Sequence, residues 1–315
     1  MNGIQPSLPL LAGCLALLAV VTAAGIWLKV RVADGHAHPL SDLINLRVQG
    51  WWGMTLGLGL ALLPGHTGVT LLFALLSFAA LREFMTIAPT RRGDHSALIM
   101  AFFIVMPFQY FLVALDIRDF FAVFIPAYAF LFLPFFSALK SDPRNFMART
   151  STIQWGLMIK VYCVSHVPAL LSLQIAGFEG RNVFLIAFLV LVAQGSDIIH
   201  QLCSRACGRH PLAPQVSQNL TREGFFAGAA CATLLGVSLS WMTPFSQWHA
   251  GLVSLTVSTL GYLGGLVMSA MKRDRDVKDW GANASEAGML DRIESLCFAA
   301  PVYFNFVRHC YAAGS

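Results

Sequence analysis

Residues Ser269–Ser295 read SAMKRDRDVKDWGANASEAGMLDRIES. This stretch carries eleven ionisable side chains in a chain where 12% of residues are Asp, Glu, Lys or Arg. Apolar runs flank it at 249–270 and 294–312, each long enough to cross a bilayer as a helix. A polar island between two such runs marks a loop at a membrane surface. Charge concentrated there is placed to hold a charged ligand, a metal ion or both.

Working outward, the same alternation recurs along all 315 residues, of which 57% are hydrophobic, and the mean hydropathy is +0.65. That balance excludes a soluble domain with an added anchor. It predicts an all-α, polytopic transmembrane bundle of about nine to ten spans. They fall near 9–28, 48–64, 67–81, 97–114, 119–139, 151–174, 183–199, 224–242, 249–270 and 294–312. The second and third are short and share the turn Pro64-Gly65-His66-Thr67, so a re-entrant pair is an alternative. The first run lacks a basic flank and a clean cleavage site and reads as a retained helix. There is no linker or repeat. Residues 1–175 are expected to be N-terminal membrane helices, and 176–315 a C-terminal half carrying the polar loops. Glycines within the apolar runs suit close helix contacts in lipid.

Orientation follows from the basic residues. Alternate loops hold 17 of the 21 Lys and Arg residues, ending with Lys272, Arg273, Arg275, Lys278 and Arg292. The positive-inside rule places those loops in the cytosol and both termini outside. The net charge of +5 is then concentrated on the face that meets anionic headgroups and nucleotides. In the first three loops a solvated interface accounts for the charges equally well.

The seven cysteines show no disulfide pattern. His200, Cys203, Cys207 and His210 share a helix face, but one straight helix followed by Pro211 does not wrap four ligands around a zinc ion. Lys160, inside a span, either snorkels or reaches a headgroup phosphate.

Two segments carry chemistry. In the first, Asp197 sits near the cytosolic end of a span, where a carboxylate is costly unless paired, hydrated or metal-bound. Ser217, Asn219 and Thr221 follow, then Glu223-Gly224 at a helix start. Small polar residues there are capping residues by default, and the same geometry suits phosphate. In the second, Lys272, Arg273, Lys278 and Asp279 precede Asp291, Arg292 and Glu294. Asp291 and Glu294 share a helix face. Magnesium takes one or two carboxylates plus substrate phosphates, and the cations neutralise the remaining phosphate charge.

At these residues the chain resembles the phosphatidate cytidylyltransferase (CDP-diacylglycerol synthase) family. The family pattern S-x-x-K-R-x4-K-D, a variable loop, then G-x-x-D-R-x-D-S, is matched by Ser269, Lys272, Arg273, Lys278, Asp279, Gly288, Asp291, Arg292, Glu294 and Ser295. An earlier pattern is matched by Asp197, Gly208-Arg209-His210, Leu212-Ala213-Pro214, Val216-Ser217, Thr221, Glu223-Gly224 and Gly228. The chain departs from the family at Gln218 (Pro), Leu220 (Lys), Gly265 (Asp), Met268 (Glu) and Glu294 (Asp), and in its shorter 283–287 loop.

The resemblance implies transfer of a cytidylyl group from CTP to phosphatidate, with Mg2+ as cofactor. Asp291, Asp279, Asp197 and Glu294 are the implied metal ligands. Lys272, Arg273, Lys278 and Arg292 are implied to bind phosphates, and Ser217, Asn219, Thr221 and Glu223 to position substrate. The expected setting is a bacterial inner membrane, with the active site facing the cytosol. The expected partners are CTP, phosphatidate and membrane lipids, with a homodimer left open and no nucleic acid. The alternatives are a CDP-lipid transferase with another lipid phosphate acceptor, a weakened paralogue, or a transporter lined by Asp197 and Lys160.

Overall fold

The computed structural model describes residues 39–88, 92–140, 144–275 and 289–312, and isolated positions between 13 and 23. Of these, residues 39–49, Arg92, Lys140, Gln218, Asn219 and 289–292 are described for their backbone alone.

The chain forms two compact units, Met1–Leu72 and Phe73–Ser315. The first holds α1 (Pro39–Leu62) and the start of α2 (His66–Thr86). Gly65, at φ +76°, makes the turn between them, a conformation that favours glycine. At 24 and 21 residues, with about 1.5 Å of rise per residue, each helix matches or exceeds the thickness of a bilayer core. Neither has the short length that raised the re-entrant alternative.

The second unit continues with α3 (His95–Ala114), α4 (Arg118–Leu139), α5 (Phe146–Ser172) and α6 (Val183–Cys207). A hairpin of β1 (Pro211–Ala213) and β2 (Ser217–Thr221) follows, then α7 (Arg222–Ser238), α8 (Gln247–Asp274) and α9 (Met289–Tyr311). The expected boundary at residue 175 falls in the connection between α5 and α6. Helices α3, α4 and α5 each contain a π-helical stretch, at Ala101–Val105, Phe124–Ala129 and Met158–Cys163.

Among the described residues six helices are long and apolar enough to cross a membrane: α2, α3, α4, α5, α6 and α8. The sequence leads to nine or ten, and the difference has physical causes. The first expected span lies mostly outside the described residues. Helix α1 is long enough but carries Asp42, Asn45, Arg47 and Gln49 in its first half, and α7 has 17 residues, which is short for a span. Helix α9 carries Asp291, Arg292 and Glu294 at its start and Arg308 near its end. The two-stranded hairpin also departs from an all-α fold.

The core of the second unit packs α6, α7, α8 and α9 closely. Small residues set the spacing. A Cβ at Gly224 would collide with Ser204 of α6, and one at Gly228 with the imidazole of His200. A Cβ at Gly236 would collide with Ser254 of α8, and one at Gly264 with Phe298 of α9. This is the close helix approach that small residues four apart allow. Tyr303 is buried on α9 and donates its hydroxyl to the carbonyl of Leu185 at 3.2 Å. On α2 and α3, the buried hydroxyls of Ser77 and Tyr110 hydrogen-bond to each other.

Candidate active site

Residues four or seven apart on a helix share a face, so Gly261, Gly265, Met268 and Lys272 form one stripe along α8. Each lies beside a polar side chain from another element. Gly261 has no side chain, which leaves room for Asp197 of α6: a Cβ here would sit 3.8 Å from its Oδ1 and 3.2 Å from the Cβ of Ser295 on α9. A Cβ at Gly265 would lie 3.8 Å from Glu294 Oε1. The other oxygen of that carboxylate, Oε2, is 3.9 Å from Lys272 Nζ. Lys160 reaches the stripe from α5, its Nζ 3.8 Å from Met268 Sδ. Two carboxylates and two ammonium groups from four helices therefore line successive turns of one helix face.

Ser295 borders the Asp197 end of this column. It is buried, and its Oγ has no hydrogen-bond partner among the described residues. Lys272 and Glu294 are partly buried, at 16% and 15% side-chain exposure. In that setting their charges are screened less than a surface pair would be.

The hairpin is fixed to the same helix. Thr221 caps α7: its hydroxyl accepts from the Gly224 N–H at 3.1 Å and donates to Ser204 Oγ at 3.0 Å. Its carbonyl accepts from the Tyr262 hydroxyl at 2.7 Å, which ties the hairpin to α8. Capping, the default reading of Thr221, is what the structure shows. Glu223 lies in the first turn of α7 and holds the other side of the loop. Its Oε2 accepts from the N–H groups of Arg209 and His210, both at 3.3 Å, and its Oε1 lies 2.6 Å from His210 Nδ1. These bonds, the one to His210 foremost, push the carboxyl pKa of Glu223 down to about 2. Ser217 is half-buried at the start of β2, opposite Ala213.

His200 is buried in α6 and uses both ring nitrogens. Nδ1 donates to the Gly224 carbonyl at 2.9 Å, and Nε2, 3.0 Å from Ser258 Oγ, is left to accept from that hydroxyl. With His210 turned to Glu223, zinc binding by the His200–His210 set has no support. No cluster of three potential metal-binding side chains occurs among the described residues.

The remaining expected site residues divide in two. Arg273 is exposed at the end of α8. Lys278 and Asp279 lie outside the described residues. Asp291 and Arg292 begin α9, as Asn219 lies in β2, and their side chains also lie outside the described residues. The Lys160–Met268 contact joins residues far apart in sequence, and so does the His200–Ser258 bond. Only their residue types, a lysine and a histidine within apolar runs, hinted at either.

The opposite side of α8 is different. A cleft of about 420 Å³ is lined by Phe84, Trp155, Val267 and Met271, with Thr152 and Arg275 among its polar groups. Val267 and Met271 belong to a stripe facing away from the carboxylates, so the cleft is separate from the charged column.

Residues 45–310 match the model of the cytidylyltransferase family. The chain is 33% identical over 303 residues to "Uncharacterized protein YnbB" of Escherichia coli (strain K12), covering 95% of this chain and 98% of that protein. It is 35% identical over 127 residues to the phosphatidate cytidylyltransferase of Staphylococcus epidermidis (strain ATCC 12228 / FDA PCI 1200), covering 39% of this chain and 48% of that enzyme. The phosphatidate cytidylyltransferase of Staphylococcus aureus (strain COL) matches to the same extent. With a family match over most of its length and a charged column assembled inside the matched residues, this chain belongs to the cytidylyltransferase family.

Proposed function

We propose that the protein transfers the cytidylyl group of CTP to phosphatidate, giving CDP-diacylglycerol and pyrophosphate, at the cytosolic face of a bacterial inner membrane. The observation that carries this reading is the convergence on α8 of Asp197 from one family segment with Glu294 and Ser295 from the other. Lys272 lies at the same end of that helix.

An oxygen of the lipid phosphate attacks the α-phosphorus of CTP. The bond from that phosphorus to the bridging oxygen breaks, and pyrophosphate leaves. The second pKa of a phosphomonoester is about 6, so the nucleophile is largely ionised at neutral pH and needs no general base. The remaining tasks are to bring two anions together and to stabilise the leaving group.

The donor set suits a hard cation: carboxylates at Asp197 and Glu294, with the Ser295 hydroxyl, unpartnered among the described residues, beside Asp197. In this reading Asp197, Glu294, Asp279 and Asp291 would hold Mg2+, which would offset charge on the phosphates. Lys272, Arg273, Lys278 and Arg292 bind the phosphates. Ser217 and Asn219 approach the substrate. The Thr221 hydroxyl and the Glu223 carboxylate are already engaged, so they act by fixing the hairpin.

The test is Mg2+-dependent pyrophosphate release from CTP and phosphatidate, comparing the native protein with Asp197→Asn and Asp291→Asn. A native rate abolished by either substitution supports the reading, and no release by the native protein sinks it. A second reading, transfer to another lipid phosphate, is favoured by one contrast. The match to YnbB runs over 303 residues, whereas that to the phosphatidate enzymes runs over 127. Radiolabelled CTP supplied with a panel of lipid phosphates separates the two.

A further inference from the structure

Lys160 is fully buried, at 0% exposure, in the π-helical stretch Met158–Cys163 of α5. Stretches of this kind are frequent at functional sites. Its ammonium meets a thioether, Met268 Sδ at 3.8 Å, and no ion pair to it occurs among the described residues. A buried cation with so weak an acceptor is costly to the fold, and an apolar residue of similar volume is often neutral or stabilising in its place. Packing therefore gives no reason for a lysine here.

Its location gives one. Met268 lies on α8 between Gly265, which borders Glu294 Oε1, and Lys272, which faces Glu294 Oε2. The Lys160 charge thus sits beside the carboxylate column on the protein-interior side, where solvent does not screen it. A fixed cation there opposes entry of a second cation and favours an anion. We propose that Lys160 is a positioning residue that keeps the Asp197–Glu294 column from taking a bare divalent cation, so that the cation binds tightly only when it arrives on a triphosphate. This rests on reading those two carboxylates as cation ligands.

The experiment measures binding of Mn2+ alone, then of Mn2+ with CTP, to the purified full chain in its native form and as Lys160→Met and Lys160→Gln. Free Mn2+ is followed by electron paramagnetic resonance, and Tm is recorded in parallel. Expected are binding of Mn2+ alone tighter by on the order of tenfold, weaker binding of Mn2+ with CTP, and a Tm unchanged or raised in the Met variant.

Unchanged or weaker binding of Mn2+ alone overturns the proposal. So does loss of folding in both variants, which marks Lys160 as structural. If the native protein binds no Mn2+ in either condition, the ligand assignment and the proposal fall together. If it binds Mn2+ with CTP but releases no pyrophosphate with phosphatidate, the proposed reaction fails while Lys160 is still judged by the affinities.

Discussion

Lys272 and Glu294 meet at 3.9 Å between the last turns of α8 and the first turns of α9, with both side chains partly buried. A long, partly buried pair falls between an exposed one, worth about 1 kcal/mol or less, and a fully buried one, whose loss of one partner costs about 3–5 kcal/mol. Lys272→Met is therefore expected to fold, with a lowered Tm. In the proposed reaction it removes a cation facing the phosphates, and the rate of pyrophosphate release is expected to fall by about 100-fold or more. A near-native rate in a folded variant would remove Lys272 from the phosphate-binding set.

Met268 offers the reverse manipulation. Met268→Glu brings a carboxylate to the position that contacts Lys160 Nζ. The expected outcome is a folded protein with the Lys160 charge neutralised in place, and with tighter Mn2+ binding, as in Lys160→Met. Paramagnetic titration measures it, and an unchanged affinity would separate Lys160 from the carboxylate column.

Gly228 is tested by size. A Cβ at this position would enter the His200 ring, which is held on both nitrogens by Gly224 and Ser258. Gly228→Ala is expected to cost about 1–3 kcal/mol, read as a lower Tm in detergent. An unchanged Tm would mean that α6 and α7 tolerate a wider spacing than the packing implies.

The pH response of the hairpin follows from Glu223. Its folded pKa of about 2 lies below the ordinary value of 4.5. The stabilisation it gives is therefore fully present above the ordinary value and is lost as pH falls towards the folded one. Hydrogen exchange at the Arg209 and His210 amides is expected to be slow at neutral pH. After correction for the intrinsic pH dependence of exchange, protection should fall as acid protonates Glu223. Glu223→Gln should show the weaker protection already at neutral pH. Equal protection in both proteins across that range would remove Glu223 as the clasp.

Much of this architecture is legible in the sequence because lipid imposes a simple rule: long apolar runs become helices that satisfy their own backbone. Helix ends are less legible. The apolar run near 183–199 ends where hydropathy falls, yet α6 continues to Cys207, because a helix can extend into the polar interface until Gly208 and Pro211 stop it. The hairpin escapes notice because its strands are three and five residues long and their pattern has no strong alternation. Asp197, Lys272 and Glu294 are visible as charges beside apolar runs. The partners of Lys160 and His200 are not, since each lies on a helix distant in the chain. The substitutions at Gly265 and Met268 are readable as departures from the family pattern, but only the structure shows that they border Glu294 and Lys160.

The bond from Tyr262 to the Thr221 carbonyl has a mechanical corollary. Tyr262 directly follows Gly261, the residue that leaves space for Asp197 and Ser295. The flap is thus bolted to the beam that carries the acidic pair, and a tilt of that beam moves both. In the proposed reaction, a substrate gripped by the flap would be kept in register with the carboxylates.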